Sequence, residues 1–424
     1  MRIFISLLLS LILSALPLSA KQINSSGRLV IVGGALSSQQ SDIYDAFLQN
    51  EKARSELKVS IIPAASSKPS LYGNQFKTQL INHGLRSENI TVLPLAVKDD
   101  SSTNSVDEST WGVNVDTSEV LQAIKDSDIV WFTGGDQSRI TKLLGDYQSP
   151  TKTLKALQTL LQAGGTIGGT SAGAAIMSET MIVGGSSLGA LLFPESRAES
   201  VNQEDGALLL GKGLGFFPYG VIDQHFDAKA RLGRLVVASK DQSNPSKIGL
   251  GIDENTALVV DLKSQTGRVA GSGQVTFIDL SNARIQPQSD SNLIRYQEIV
   301  LSSFGSGDTI HLDTSTILPA PDKSRTKDNA YYQIANPLAT GILSGYSTLN
   351  QLISYKLVDN AASATATSYL FNPESEFGYE ITFSETNSSE GFWSYRNGQE
   401  DHYTVIGIHM ALNPIRITVE PLDD

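Results

Sequence analysis

The residues of this sequence whose types and spacing could do chemistry begin with Gly169-Thr170-Ser171-Ala172-Gly173, set between an apolar run and an Ala-rich, helix-like run. The pattern G-x-S-x-G, where a strand should turn into a helix, suits a nucleophile held on a strained turn. The glycines relieve crowding around the serine, the helix N-terminus favours negative charge, and the Ala172 N–H can donate to an oxyanion. A linker serine, or a tight turn that demands glycine for close packing, would give the same short pattern. A phosphate-binding loop fits less well, because no Gly-Lys-Ser/Thr follows.

A serine nucleophile needs a base. The histidines are His83, His225, His311, His402 and His409. His83 reads as a solvated cap beside a helix end. His311 falls in a short β segment, and His402 and His409 fall in the C-terminal strands and read as surface or packing residues. His225, in VIDQHFDAKARLGRL, sits where an apolar strand meets a polar, cationic segment. The next strand of the serine's own sheet would bring it to Ser171. A third group must orient the imidazole. Glu254, ending the apolar strand of GLGIDENTALVV, ranks first, with Asp253 as its rival and Asp223 as a local partner on the strand face of His225. Lys229, Arg231 and Arg234 cluster after His225 and suit a carboxylate-bearing substrate, although a solvated helix face would read the same. The order Ser, His, Glu differs from the order Ser, Asp/Glu, His of the α/β-hydrolases, and no HGGG-type loop is present.

The elements that must position these residues follow from periodicity. Strands are expected at 28–36, 58–66, 89–97 and 128–137, and helices at 41–55, 70–85, 116–127, 138–147 and 149–164, with Asp116 opening the third. The run 166–171 then closes onto a helix at 172–179. Strands alternating with helices indicate an α/β domain with a mainly parallel sheet, whose strand C-terminal ends carry the site. Three of these strands end in glycine pairs, at Gly33-Gly34, Gly134-Gly135 and Gly168-Gly169. After about residue 255 short strands and turns take over. A Pro-containing stretch at 317–329 reads as a domain boundary. Beyond it, a helical run at 344–357 and alternating strands make a smaller α+β or mostly β region.

Composition bounds the function. With 424 residues, 40% hydrophobic and 18% charged, the chain can bury a large core. A net charge of −12 argues against a nucleic-acid partner. The absence of cysteine excludes thiolate nucleophiles, zinc–thiolate sites and iron–sulfur clusters. No metal or organic cofactor is indicated. The start, MRIFISLLLSLILSALPLSAKQ, has the layout of a secretory signal peptide cleaved after Ala20, which leaves no membrane span and an exported, periplasmic or extracellular protein.

Taken together, GGTSAGAAIM, FTGGDQSRI, DQHFDAKARLGRL and GIDENTA resemble the cyanophycinases, serine peptidases of family S51 related to aspartyl dipeptidase. The resemblance covers Arg28 to Pro319. It implies a parallel sheet flanked by helices, similar to the class I glutamine amidotransferase core. With the N-terminal layout and the boundary near 317–329, the chain is expected to divide into a signal peptide (1–20), a catalytic domain (28–319) and a C-terminal accessory region (322–424). It implies Ser171 as nucleophile, His225 as base and Glu254 as orienting acid, with an oxyanion hole from Ala172 and the Gly135 and Asp136 N–H groups. Gln137, Asp223, Gln224, Arg231 and Arg234 fall on positions that line the family's substrate pocket. Lys229 stands where an arginine is expected, which keeps the charge but loses the bidentate fork. The implied substrate is cyanophycin, a poly-aspartate chain with arginine on each side-chain carboxyl, and the implied products are β-aspartyl-arginine dipeptides. A homodimer is the expected form. The competing readings are a related peptidase of short aspartyl peptides and a non-catalytic peptide- or carbohydrate-binding protein on the same fold.

Overall fold

The structure, a computed structural model, describes residues 25–418 except 104, 195–203, 290, 338–344, 347, 373–374 and 397–399. The signal-peptide expectation lies outside the described residues. Among the described residues no helix is long and apolar enough to cross a membrane.

The first five main strands are β1 (Arg28–Val32), β2 (Val59–Ile62), β3 (Ile90–Val92), β4 (Ile129–Phe132) and β5 (Thr166–Thr170). They pair in parallel in the order β1-β5-β4-β2-β3. Both faces of β1 are apolar, as a central parallel strand requires. Leu29 and Ile31 enter one core while Val30 and Val32 enter the opposite one. Helices α1 (Ser41–Phe47) and α2 (Pro69–Asn82) cover the second face. Helices α3 (Ser118–Asp126), α4 (Gln137–Leu144), α5 (Lys152–Gln162) and the single turn α6 (Ala172–Ala175) cover the first.

The chain then shuttles between two sheets. Strands β6 (Val221–Asp223) and β7 (Ile248–Ile252) pair in parallel and begin a second sheet. Strands β8 (Thr256–Asp261) and β9 (Thr266–Gly271) return to the first, where β8 runs antiparallel to β1. Strands β10 (Gln274–Asp279) and β11 (Ile294–Gly305) belong to the second sheet; β12 (Thr309–His311) and β13 (Thr316–Leu318) end the first. The C-terminal strands β14 (Thr365–Phe371), β15 (Phe377–Ser384), β16 (Glu390–Arg396) and β17 (Glu400–Arg416) extend the second sheet, with β17 paired to β11. Helices α7 (Ser187–Leu192), α8 (Leu232–Lys240) and α9 (Thr348–Ile353) share a core with this second sheet. The fold is thus α/β, a mixed sheet with a parallel half flanked by helices, joined to a mostly β C-terminal region.

Local chemistry shifts several expected boundaries. The helix expected over 41–55 stops at Phe47, and Asn50 accepts the Lys52 N–H in a local turn that competes with helix. Asp116 does not cap the helix that follows it. It adopts φ +68° and accepts the Thr153 N–H at 2.7 Å, so it serves the start of α5. Strand β17 runs unbroken from Glu400 to Arg416 through Gly407, at φ +68°, and Pro414.

A buried ion pair ties the C-terminal part to the rest. Lys323 Nζ lies 2.8 Å from Asp308 Oδ2 and 2.7 Å from Thr404 Oγ1, with both charged side chains fully enclosed. Asp308 also accepts the Gly305 and Ala320 N–H groups. Removing one partner of such a pair strands the other charge. Lys323→Met is therefore expected to cost about 3–5 kcal/mol, read by chemical denaturation.

Candidate active site

Strand β5 ends at Thr170, and Ser171 takes φ +54°, ψ −110°, a conformation that costs a non-glycine residue about 1–3 kcal/mol. Its N–H donates to the Val32 carbonyl at 3.0 Å, and its carbonyl accepts from Ala174 and Ala175. Close packing explains the flanking glycines. A Cβ on Gly169 would lie 2.5 Å from the Gly173 carbonyl oxygen, and one on Gly173 would lie 2.6 Å from that of Phe132. The elbow is thus wedged under β1 and β4 and presents its side chain at the strand ends.

His225 does not arrive on the next strand of the serine's sheet. It follows β6 of the second sheet, because the chain changes sheets before reaching it. Its Nε2 lies 2.9 Å from Ser171 Oγ, and its Nδ1 lies 2.5 Å from Glu254 Oε1. Glu254 sits where the chain crosses back from β7 to β8. The rivals face elsewhere. Asp253 accepts the Asp227 and Gln274 N–H groups and the Asn350 amide. Asp223 is bound to Arg234 at 2.6 and 2.7 Å.

The Gly33-Gly34 pair receives this crossing. The Gly33 carbonyl accepts the His225 N–H at 2.6 Å and the Gly34 carbonyl accepts that of Asn255 at 2.8 Å. Gly34 adopts φ +123°, and a Cβ there would stand 2.3 Å from the His225 ring. Gly34→Ala is expected to displace the imidazole and lower kcat/KM by about 100-fold or more, since misplacement near 1 Å has that effect. Steady-state kinetics beside a thermal melt separates this from unfolding.

Burial holds the His225 imidazole below the ordinary histidine range. The Glu254 hydrogen bond opposes burial, while Lys229 and Arg231 act with it. This direction favours the neutral ring, the form a general base requires.

A cleft of about 610 Å³ opens at Ser171 and His225, bounded by the Gly134-Gly135 turn and by Tyr72, Gln75 and Gln79 of α2. Sequence reasoning missed these α2 residues. Their signal was the spacing 72, 75, 79 on the face next to buried Phe76 and Leu80.

The residues expected to bind substrate separate into two groups. Gln224 is at the serine, with Oε1 3.5 Å from Ser171 Oγ. Arg231 donates to the Gln224 carbonyl, and Arg231 and Lys229 both hold the carboxylate of Glu204, at 3.2 and 2.5 Å. Gln137, Asp223 and Arg234 are buried and satisfied within the protein. Gln137 donates to the Ile182 and Val183 carbonyls, and Arg234 donates to Asp223 and Gly185. Their geometry is that of a frame under the site. Asp136 needs correction as an oxyanion donor, because its N–H is committed to the Ala65 carbonyl at 2.9 Å and its side chain caps α4. His83 caps α2 and stacks on Tyr44, with ring centroids 3.9 Å apart, while His409 pairs with Glu298.

Behind the triad lies a carboxyl pair. Burial first, then the Asp253 carboxylate, pushes Asp227 up to about 7, and burial pushes Asp253 up to about 6. Both values exceed the ordinary aspartate value of about 3.9. Between about pH 4 and 7 the folded chain keeps protons that the unfolded chain has released, so stability falls as pH rises through that window. Asp227→Asn is expected to remove most of this decline, an effect of roughly 2–4 kcal/mol, read as melting temperatures at pH 5, 6, 7 and 8.

The model of "Peptidase family S51" matches residues 29–266, more than half of the chain. The chain is 28% identical over 297 residues to the cyanophycinase of Trichormus variabilis, covering 69% of this chain and 88% of that protein. It is 31% identical over 223 residues to the cyanophycinase of Geminocystis herdmanii, covering 52% of this chain and 69% of that protein. The matched span includes His225 and its two partners, Ser171 and Glu254, and the chain belongs to peptidase family S51.

Proposed function

We propose that the protein is an exported serine-type exopeptidase that hydrolyses cyanophycin to β-aspartyl-arginine dipeptides through an acyl-enzyme on Ser171. The relay of 2.9 Å from Ser171 to His225 and 2.5 Å from His225 to Glu254 carries the proposal. The Ser171 hydroxyl attacks the carbonyl carbon while His225 Nε2 takes its proton. Glu254 keeps Nδ1 protonated and stabilises the imidazolium. The oxyanion rests on the Ala172 and Gly135 N–H groups. His225 then protonates the leaving amine, and water reverses the sequence to release the acid.

Lys229 and Arg231 support an aspartyl substrate. The Glu204 carboxylate they hold marks a place, one residue from Gln224 through Arg231, where a substrate carboxylate would sit once Glu204 is displaced. Residues 28–319 are the catalytic part on this reading, and 322–424 are the accessory region. Export and a homodimer, read from sequence, belong to the same proposal. Sedimentation of the mature protein, and N-terminal sequencing of protein recovered outside the cell, check them.

The test is incubation of the mature protein with purified cyanophycin and with soluble aspartyl dipeptides, reading products by mass spectrometry. Release of β-aspartyl-arginine from the polymer supports the proposal. Cleavage of the short peptides alone would replace it with the short-peptide reading.

A further inference from the structure

Outside the span matched by the family, the hairpin of β16 and β17 presents a row of aromatic side chains. In β16, Trp393 and Tyr395 are two residues apart and share a face, with ring centroids 6.4 Å apart. In register opposite them on β17 stand Tyr403 and Asp401. The segment before α9 adds Tyr331 and Tyr332, and these side chains line a cavity of about 520 Å³ together with Asp359. Tyr331, Tyr395 and Trp393 are 82%, 55% and 36% exposed, a contiguous aromatic surface that core packing does not use.

The charge in this cavity is negative. Asp401 accepts the Trp393 indole N–H at 2.8 Å through Oδ1, and among the described residues its Oδ2 has no partner. Asp359 accepts the Tyr403 hydroxyl and the Tyr331 N–H, each at 2.8 Å. Burial, then the carboxylates of Asp401 and Asp359, raise the Tyr332 phenol above its ordinary value. The cation at the rim, Arg325, is paired with Glu390 at 2.7 Å.

Flat aromatic faces beside carboxylates match a planar cation. A guanidinium stacks on the rings and donates along its edge to a carboxylate, which adds an ion-pair and cation–π attraction that a neutral sugar, donating only its hydroxyls, lacks. We propose that this aromatic, acidic pocket is a non-catalytic binding site for guanidinium groups, occupied by the arginyl side chains of the polymeric substrate. The inference rests on the proposed function only for which polymer carries them. The second cavity, of about 310 Å³, shares Asp401 and Tyr403 with the pocket and reaches Asp253, the neighbour of Glu254. A weak site that engages groups repeated along a polymer raises the local substrate concentration.

The experiment titrates hexa-arginine, hexalysine and a neutral hexasaccharide into the full-length Ser171→Ala protein by calorimetry. The same titrations are made with Trp393→Ala, Tyr331→Ala and Asp401→Asn added in turn. Tyr331 projects into solvent and Asp401→Asn keeps an acceptor for the indole, so the set does not depend on one variant that fails to fold. The proposal expects hexa-arginine to bind more tightly than hexalysine and each substitution to weaken it at least about tenfold. Trp393→Ala in the active protein should leave hydrolysis of a short soluble substrate unchanged. Equal binding of both peptides, unaffected by the substitutions, would assign the attraction to the acidic surface at large and overturn the site. Hexasaccharide binding that depends on Trp393, without arginine binding, would overturn it in favour of a sugar. No binding of any ligand would overturn it outright. Hexa-arginine binding is measured without hydrolysis, so failure of the cyanophycin reading would show in the product assay and not here.

Discussion

Ser171→Ala is expected to lower the peptidase turnover by about 10⁴–10⁶-fold while leaving substrate affinity within a few-fold, as loss of a triad nucleophile does elsewhere. The hydroxyl is small, and its Oγ lies 2.9 Å from His225 Nε2 and 3.5 Å from Gln224 Oε1. The backbone at 171 is held independently of those contacts by Val32, Ala174 and Ala175, so the elbow should survive the change. Single-turnover assays by mass spectrometry read both halves of the prediction. Wild type should show a mass increase at Ser171 when quenched early, and the variant should show none. A variant that retains more than about one part in a hundred of the wild-type rate would remove Ser171 from the nucleophile's role.

Glu254→Gln is the second large effect, a fall of about 10²–10⁴-fold in kcat, by the logic that the acid fixes the tautomer and stabilises the imidazolium. Glutamine occupies the same volume, so the packing of the β7–β8 crossing is kept and the change is electrostatic. The carboxylate also opposes the burial that depresses the His225 value. Without it the base should be still harder to protonate, and the acid limb of kcat/KM should move to lower pH as the plateau drops. A pH–rate profile separates this from a structural defect, which would lower the plateau without moving the limb. Rescue by Glu254→Asp would be partial, because the shorter side chain lengthens a 2.5 Å contact.

The residues that meet at the candidate site were legible as local residue types. Ser171 between glycines, a base drawn from five histidines and the run of apolar strands need only spacing and periodicity to be read. The parallel half of the first sheet was equally legible, because buried strands and amphipathic helices alternate there.

What sequence could not decide depended on contacts between distant segments. The α2 residues of the cleft, the Glu204 carboxylate on Lys229 and Arg231, and the commitment of the Asp136 N–H to Ala65 are all of this kind. So is the choice of Glu254 over Asp253 and Asp223. All three carboxylates lie near the right place in the chain, and which one meets His225 depends on how β7 of one sheet crosses to β8 of the other. That crossing is set by the close approach of two sheets over Gly33 and Gly34, where a Cβ on Gly33 would stand 2.1 Å from the Asp253 carbonyl oxygen. Periodicity reports which face of an element is apolar. It carries no information about which sheet that element joins, and here the joining of two sheets is what brings base and acid to the serine.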